Sequence, residues 1–592
     1  MKQNFVNRIL QSLMLVAGVL AFIGWYTYEG ISDPAVAVWS AFYKTLQTFI
    51  FETGFDSLPV PWTLQIAVYL APLSLAGSIV VGLMTAGRNW VLGIYIRLVY
   101  RDHVLVAGDA LAAHRVFDSK PSGERIVMLV PKDVRIPEFV SRTPGVLVLH
   151  GDFMRSASWQ RAGLAKCKTV LIFNRRIRDL QDLPQVISKV KIRRETPVRV
   201  SFSLDSNVQH EVFSDSTRII EASNTQIKFN TFSIAHIAAA DLVEEMAPQH
   251  TEARDSLMHA PPHLVVEGLS PLAESFLLQA AHLYHYPSMQ KSKITLVTDD
   301  KSALNQFLRR YPGFKEVVDL QVISSDEKNR VLRTGDSLYF GRPYRVVVFP
   351  QNGWDIPAAA RLWRRYLVLV YSDAEVRIPV SFVLLGSEDT AELFCSFEEH
   401  FNGLQFQIKR ADDYVQWENL ISNREAIDSI AARIHEAYRN GQIEQAAGST
   451  EVASQAHIPP QWDELSDREK EFNRRSARHL KIKLWVLGYE VCKDTDLPEI
   501  DLPEINAATK RLLAQLEHKR WSSEKLLDDF IPGEWPEDAG LKKFYKGTLR
   551  IHSDIRPFNE LSEADIQKDE RTFEEVKDML SKVKDSWRLR KL

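Results

Sequence analysis

Asp102–Phe117 reads DHVLVAGDALAAHRVF, and Gly151–Phe173 reads GDFMRSASWQRAGLAKCKTVLIF. Four apolar residues, Val104 to Ala107, run into Gly108, and a helical pattern follows. A second apolar run, Arg125 to Val130, and a third, Val146 to Leu149, precede Gly151-Asp152. Short apolar runs that alternate with helices predict a parallel sheet covered on both faces, the architecture that takes nucleotides at its strand ends.

The phosphate-binding fingerprint of such domains is G-x-G-x-x-G. Here its positions are Gly108, Ala110 and Ala113. The first glycine makes the turn, a methyl at the second hinders close approach of a pyrophosphate, and the third tolerates alanine. Asp133 follows Pro131-Lys132 and is displaced from the strand end where a ribose-binding acid belongs. NAD binding is therefore weakly supported, and a nucleotide fold that has lost its nucleotide is the favoured reading. A weaker copy follows. HLVVEG at His263–Gly268, a helical pattern over Pro271–Tyr286, KITLVTDD at Lys293–Asp300 and YRVVVF at Tyr344–Phe349 repeat the order of elements. Asp299 and Asp300 end a strand there, as cation ligands or as a solvated strand end.

Upstream, Ile9–Tyr28 and Leu64–Gly87 carry no charge. Each is long enough to cross about 30 Å of hydrocarbon. Lys2 and Arg8 precede the first run, and Arg88, Arg97 and Arg101 follow the second. Positive charge at both outer flanks predicts a cytoplasmic N-terminus and a cytoplasmic C-terminal part in the inner cell membrane. A cleaved signal peptide is the other reading of the first run. Between the runs, WSAFYKTLQTFIF at Trp39–Phe51 is too short to span and predicts a re-entrant helix.

Glu52-Thr53-Gly54-Phe55-Asp56-Ser57-Leu58-Pro59 comes next. It resembles the pore loop of two-span potassium channels, whose filter reads T-V-G-Y-G-D-x-x-P. Gly54-Phe55 and Asp56 with Pro59 match; the second filter glycine is absent, and Glu52-Thr53 stand where Thr-Val would be. The resemblance implies a pore set of Thr48, Glu52, Thr53, Gly54, Phe55 and Asp56. Acidic residues repeated around a ring would draw monovalent cations. An interfacial aromatic loop without a pore is the alternative.

The stretch from Val146 through Gly151-Asp152, Trp159-Gln160-Arg161-Ala162-Gly163-Leu164 and Thr169–Phe173 resembles the RCK (TrkA-N) family, which regulates potassium conductance. Thr196–Leu204 and Phe232–Asp241 extend the match. The resemblance implies lobes that assemble into gating rings, with Gly108, Ala110, Ala113, Asp133 and Asp152 as the nucleotide-binding candidates. We expect the second copy to lack a dinucleotide.

Glu425–Asn440 predicts an amphipathic helix with Ile427, Ile430, Ala431, Ile434 and Tyr438 on one face. Gln445–Pro460 is polar and small and predicts a linker. Beyond it, Trp462–Ser466, Asn473–His479, Leu516–Trp521 and Ile551–Leu561 resemble the RyR domain, the helical repeat named for the ryanodine receptor. Its third block departs from the usual pattern at Ser553, where proline is common. Arg511, His518, Trp521 and Lys525 recur at helical spacing on one face. A cationic face with an indole can stack a base and neutralise a phosphate. With Asn473, His479 and Glu517 they make the expected ligand pocket, and the resemblance implies a small nucleotide-like messenger. A core Trp521 beside solvated cations is the other reading.

The expected organisation is a two-span region over 1–101 with a pore-like loop at 39–59, followed by α/β Rossmann-like (RCK) lobes in tandem at 102–245 and 246–442. A linker at 443–460 then leads to a mostly α-helical RyR domain at 461–592. A net charge of −3 excludes wholesale nucleic-acid binding. Cys167, Cys395 and Cys492 lack metal-site or disulfide spacing. No G-x-S-x-G, H-E-x-x-H or P-loop motif occurs, so an enzyme is not expected. The expected protein is a ligand-gated, cation-channel-like tetramer. A non-conducting membrane-anchored sensor is the alternative.

Overall fold

The computed structural model describes residues 2–592 except 53, 55–58, 110–112, 132–133, 135, 174–176, 205–212, 214–216, 218–219, 222, 336–339, 341, 352–354, 372–377, 385–405, 418–419, 422–423, 449–457, 466, 493–504, 564, 568 and 571–587.

Three helices open the chain: α1 (Lys2–Glu29), α2 (Pro34–Phe49) and α3 (Trp62–Val99). Windows of α1 (Leu10–Glu29) and α3 (Trp62–Ile79) are long and apolar enough to cross a membrane. Small residues let α1 and α3 approach closely: Ala17 and Ala21 on α1, Ala67 and Ala71 on α3, all buried. A Cβ added at Gly24 would lie 2.7 Å from Leu64 Cβ. Asp33 caps α2 by accepting from Ala35 N, and Pro34 occupies its first position.

The far end of α3 is built into the domain that follows. Ile96 is fully buried in that domain's core with Tyr100 and Trp159. Lys166 Nζ donates to the Arg97 carbonyl at 2.7 Å. Gly163, from the A-G-L element of the RCK-like stretch, has φ +81, and a Cβ there would lie 2.9 Å from both Ile96 Cγ2 and His103 Cε1. Only a residue without a side chain seats the helix so closely while turning left-handed.

Two parallel six-stranded sheets follow. The first joins β1 (Val104–Gly108), β2 (Ile126–Val130), β3 (Val146–His150), β4 (Thr169–Phe173), β5 (Val198–Ser203) and β6 (Ile227–Phe232) in the order β3-β2-β1-β4-β5-β6. The second joins β7 (His263–Glu267), β8 (Ser292–Val297), β9 (Val318–Ile323), β10 (Arg345–Val348), β11 (Val380–Leu384) and β12 (Phe406–Arg410) in the order β12-β11-β10-β7-β8-β9. Read from the other edge this is the same doubly wound topology. The repeat extends to single residues. Gly108 (φ +107) closes on the Phe173 carbonyl, and Gly268 (φ +93) closes on the Phe349 carbonyl, each where the first and fourth strands part.

Helices α4 (Ile234–Glu245), α5 (Pro271–Leu283), α6 (Phe314–Val317) and α7 (Ile356–Val370) cover the sheets. The helix expected over Glu425–Asn440 is α8 (Arg424–Gly448). It runs on through Gln445-Ala446-Ala447, good helix formers, so residues 443–448 are helical and not linker. Of the expected linker, residues 449–457 lie outside the described residues.

The C-terminal region holds α9 (Asp467–Val486), β13 (Tyr489–Cys492), α10 (Ala507–Leu527), β14 (Ile531–Pro532), α11 (Ala539–Gly547), β15 (Ile551–His552) and β16 (Arg588–Lys591). It does not stand apart. Leu480, Leu484, Trp485, Leu513 and Leu516 share one continuous core with Leu277, Tyr286, Phe307 and Phe314 of the second lobe.

Candidate ligand site

Helix α10 presents two chemically opposite faces. Asn506 caps its start by accepting from Thr509 N at 2.8 Å. On the inner face, Glu517 is buried and accepts from Lys483 Nζ at 2.6 Å and from Arg520 at 2.7 and 3.0 Å. Arg520 also reaches Glu524 at 2.6 Å, and Arg475 reaches Glu524 at 3.4 Å. Burial pushes the Glu517 carboxyl up, but Arg520 and Lys483 outweigh it and hold it well below the usual carboxylate range. Each of these three cations is matched by a carboxylate.

The outer face is built differently. His518 stacks on Trp521 at 5.9 Å between centroids, and Trp521 meets the edge of His552 at 4.9 Å. Trp535 closes on His552 from another side at 4.4 Å, held by its indole N–H on the Ile551 carbonyl at 2.8 Å. Lysines ring these aromatics. Lys525 Nζ lies 5.1 Å from the Phe530 ring, 4.9 Å from the Phe472 ring and 6.0 Å from the Trp521 ring. Lys542 and Lys546 lie 4.6 and 5.6 Å from the Trp535 ring. Among the described residues neither Lys525 nor Lys542 has a carboxylate within 4.0 Å, although Glu524 and Asp528 lie near enough to favour the Lys525 charge. Burial lowers the Lys525 ammonium pKa. Burial, with Lys546, Lys525 and Lys542 nearby, lowers His552 to about 4, so its ring is neutral at pH 7. Positive charge over flat rings suits a ligand with a base and phosphates.

His518 has a different setting. Its Nε2 lies 2.9 Å from the Arg556 carbonyl and its Nδ1 3.6 Å from Asp569 Oδ2. Burial opposes its charge, but the Asp569 carboxylate and the Arg556 carbonyl raise its pKa above the ordinary value.

The expected pocket residues thus divide. His518, Trp521 and Lys525 converge. Arg511 stands over the Phe558 ring at 5.6 Å, and that ring is 5.9 Å from His518. Glu517 and His479 face inward; His479 is fully buried with Nε2 3.2 Å from the His285 carbonyl. Asn473 donates to the Glu469 carbonyl of its own helix at 3.2 Å. Phe472, Phe530, Trp535, Lys542, Lys546 and His552 complete the cluster without having been singled out. The dense lysine and aromatic spacing of AGLKKFYKG in α11 was a local signal for Lys542 and Lys546 alone, and His552 lies within the Ile551–Leu561 block.

Elsewhere the expected sites are structural in part. Asp152 accepts from Met154 N at 2.9 Å and pairs with Arg155 at 3.3 Å, turning the chain into the next helix. Ala113 is core, and Gly108 makes the expected turn, with Asp109 N donating to the Phe173 carbonyl at 2.7 Å. Ala110 and Asp133 lie outside the described residues. In the second lobe Glu267 ends β7; Lys328 pairs with it, and Trp363 Nε1 donates to it at 2.8 Å. Asp299 accepts from Ser325 N at 2.9 Å, at the start of the helix Ser325–Thr334, and Asp300 accepts from Ala303 N at 2.8 Å as the cap of its own helix. In the hairpin Thr48 is buried, accepting from Trp25 Nε1 at 2.9 Å and donating to the Lys44 carbonyl at 2.8 Å. Glu52 and Gly54 are exposed, whereas Thr53, Phe55 and Asp56 lie outside the described residues.

No protein-family model matches the chain, and no curated protein matches it. Among solved structures, the GsuK channel is similar at 12% identity and TM-score 0.35, over 71% of this chain and 96% of that one. The GsuK channel bound to NAD is similar at 11% identity and TM-score 0.34, over 72% and 84%. A dipicolinate synthase polypeptide from Bacillus halodurans follows at 12% identity and TM-score 0.20, over 55% and 98%. Scores this low carry no argument about fold or activity.

Proposed function

We propose that the chain is one protomer of a ligand-regulated, cation-channel-like membrane protein whose C-terminal region, a RyR-type module, binds a nucleotide-like messenger. The observation that carries this is the aromatic–lysine cluster, where Lys525 and Lys542 face rings while the cations of the layer beneath face carboxylates. It sits on a helix that shares its core with the second lobe, and the first lobe grips the end of a membrane-length helix. Four protomers around one axis would bring the acidic loops at Glu52 and Asp56 together as a mouth for monovalent cations. The positively charged flanks favour a cytoplasmic position for the lobes.

Trp521→Ala should weaken binding of a base-and-phosphate ligand about fivefold or more, since stacking contributes about 1–3 kcal/mol per base, and Lys525→Ala should weaken it too by removing a charge that meets the phosphates. Calorimetric titration of the full chain with a nucleotide panel measures this, and unchanged affinity in both variants would remove the cluster from the reading. Flux from liposomes tests the pore: a leak abolished by Glu52→Ala with Asp56→Ala is expected. Thr48 supports the second reading, a non-conducting membrane-anchored nucleotide sensor or scaffold, because its hydroxyl is committed inside the protomer. Absence of flux under every nucleotide would decide for it.

A further inference from the structure

Helix α10 carries the ligand cluster on one face and a seam with the second lobe on the next. Lys519 and Leu526 lie seven residues apart on the seam face, two helical turns. Lys519 Nζ donates to the Gln290 carbonyl at 2.7 Å, and burial lowers its pKa to about 8. The helix and the lobe also meet at the C-terminal turn. A Cβ added at Gly313, which opens α6, would lie 2.0 Å from the Leu526 carbonyl oxygen and 2.6 Å from its carbon. The Gly313 φ of −73 is open to any residue, so glycine is needed there for room alone. Leu526 is the direct neighbour of Lys525 in the cluster, and α6 leads straight into β9.

We propose that α10 transmits occupancy of the aromatic–lysine cluster to the second lobe, with the Gly313–Leu526 contact as its bearing point. This rests on the cluster being a ligand site. A ligand drawing Lys525 and Trp521 together moves the last turn of α10, and a backbone contact this tight passes the movement to α6 and β9. By linkage, altering the seam must alter affinity at the cluster by the same factor that the ligand alters the seam.

The test uses the full chain in lipid nanodiscs, with ADP as a base-and-phosphate probe and inorganic pyrophosphate as a charge-only probe. Amide hydrogen exchange is read over residues 314–323. ADP should change exchange there in the natural chain, and Trp521→Ala should abolish the change. Gly313→Ala should remove the response while shifting ADP affinity about fivefold or more. If that variant fails to fold, Lys519→Met, which removes the bond to Gln290, gives the same reading. A folded seam variant with natural affinity and natural exchange response overturns the transmission and leaves the site standing. Binding of neither probe to the natural chain overturns the site reading itself.

Discussion

Glu517→Ala is expected to destabilise the C-terminal region and the second lobe together, by about 3–5 kcal/mol, because it leaves Lys483 and Arg520 buried without their shared carboxylate. Glu517→Gln should cost a large part of this, since it keeps the volume but not the charge. Thermal unfolding of the full chain, with hydrogen exchange across α9 and α10, measures both. A variant within about 1 kcal/mol of the natural chain, on the order of an exposed pair, would show that the network is not the framework of the module. The pH dependence follows from the lowered Glu517 pKa. Its stabilisation is fully present above the unfolded value of about 4.3 and is lost only as pH falls towards the lower folded value. From neutrality down to about pH 4.5, Glu517 therefore contributes no loss. His518 behaves oppositely. Its raised pKa contributes stability that is complete below about pH 6.5 and disappears as pH rises through the folded value. Asp569→Asn should flatten that alkaline part of the profile, and an unchanged slope would dismiss the pair.

Gly108→Ala should be comparably severe in the first lobe. The new methyl would fall 1.9 Å from the Phe173 carbonyl oxygen on a backbone at φ +107, so β1 and β4 must part. Conformational strain alone costs about 1–3 kcal/mol. Gly123→Ala separates the two causes: its φ is +91, but nothing lies within 4 Å of the added atom. Limited proteolysis should find the Gly108 variant cleaved within the first lobe and the Gly123 variant intact. Equal resistance would mean that the strand parting tolerates a side chain.

Much of this architecture was readable from apolar runs. VLVAG and TVLIF are buried strands whose residues need no alternation, HLVVE repeats the first of them, and VLVLH stays apolar although it lies half covered at a sheet edge. The outer strands of the second lobe were not readable. VDLQVI at β9 and FQIKR at β12 sit at sheet edges, half covered, so polar residues break their apolar signal. The outer face of α10 was legible because Arg511, His518, Trp521 and Lys525 keep helical spacing. The inward turn of Glu517 was not, because it depends on Lys483 from another helix. Trp535, Lys542 and His552 join the cluster through chain reversals after α10, and local periodicity does not encode such meetings.

Helix α3 is 38 residues long, about 57 Å at 1.5 Å per residue, nearly twice the thickness of the hydrocarbon. Its final turns pack one face, at Gly93 and Ile96, on the first lobe, so that lobe is keyed to the helix like a blade on a shaft and cannot swivel freely about it. One alanine inserted between Gly87 and Leu92 would rotate the lobes by about 100° relative to the hairpin, while a full extra turn of sequence would nearly restore their bearing.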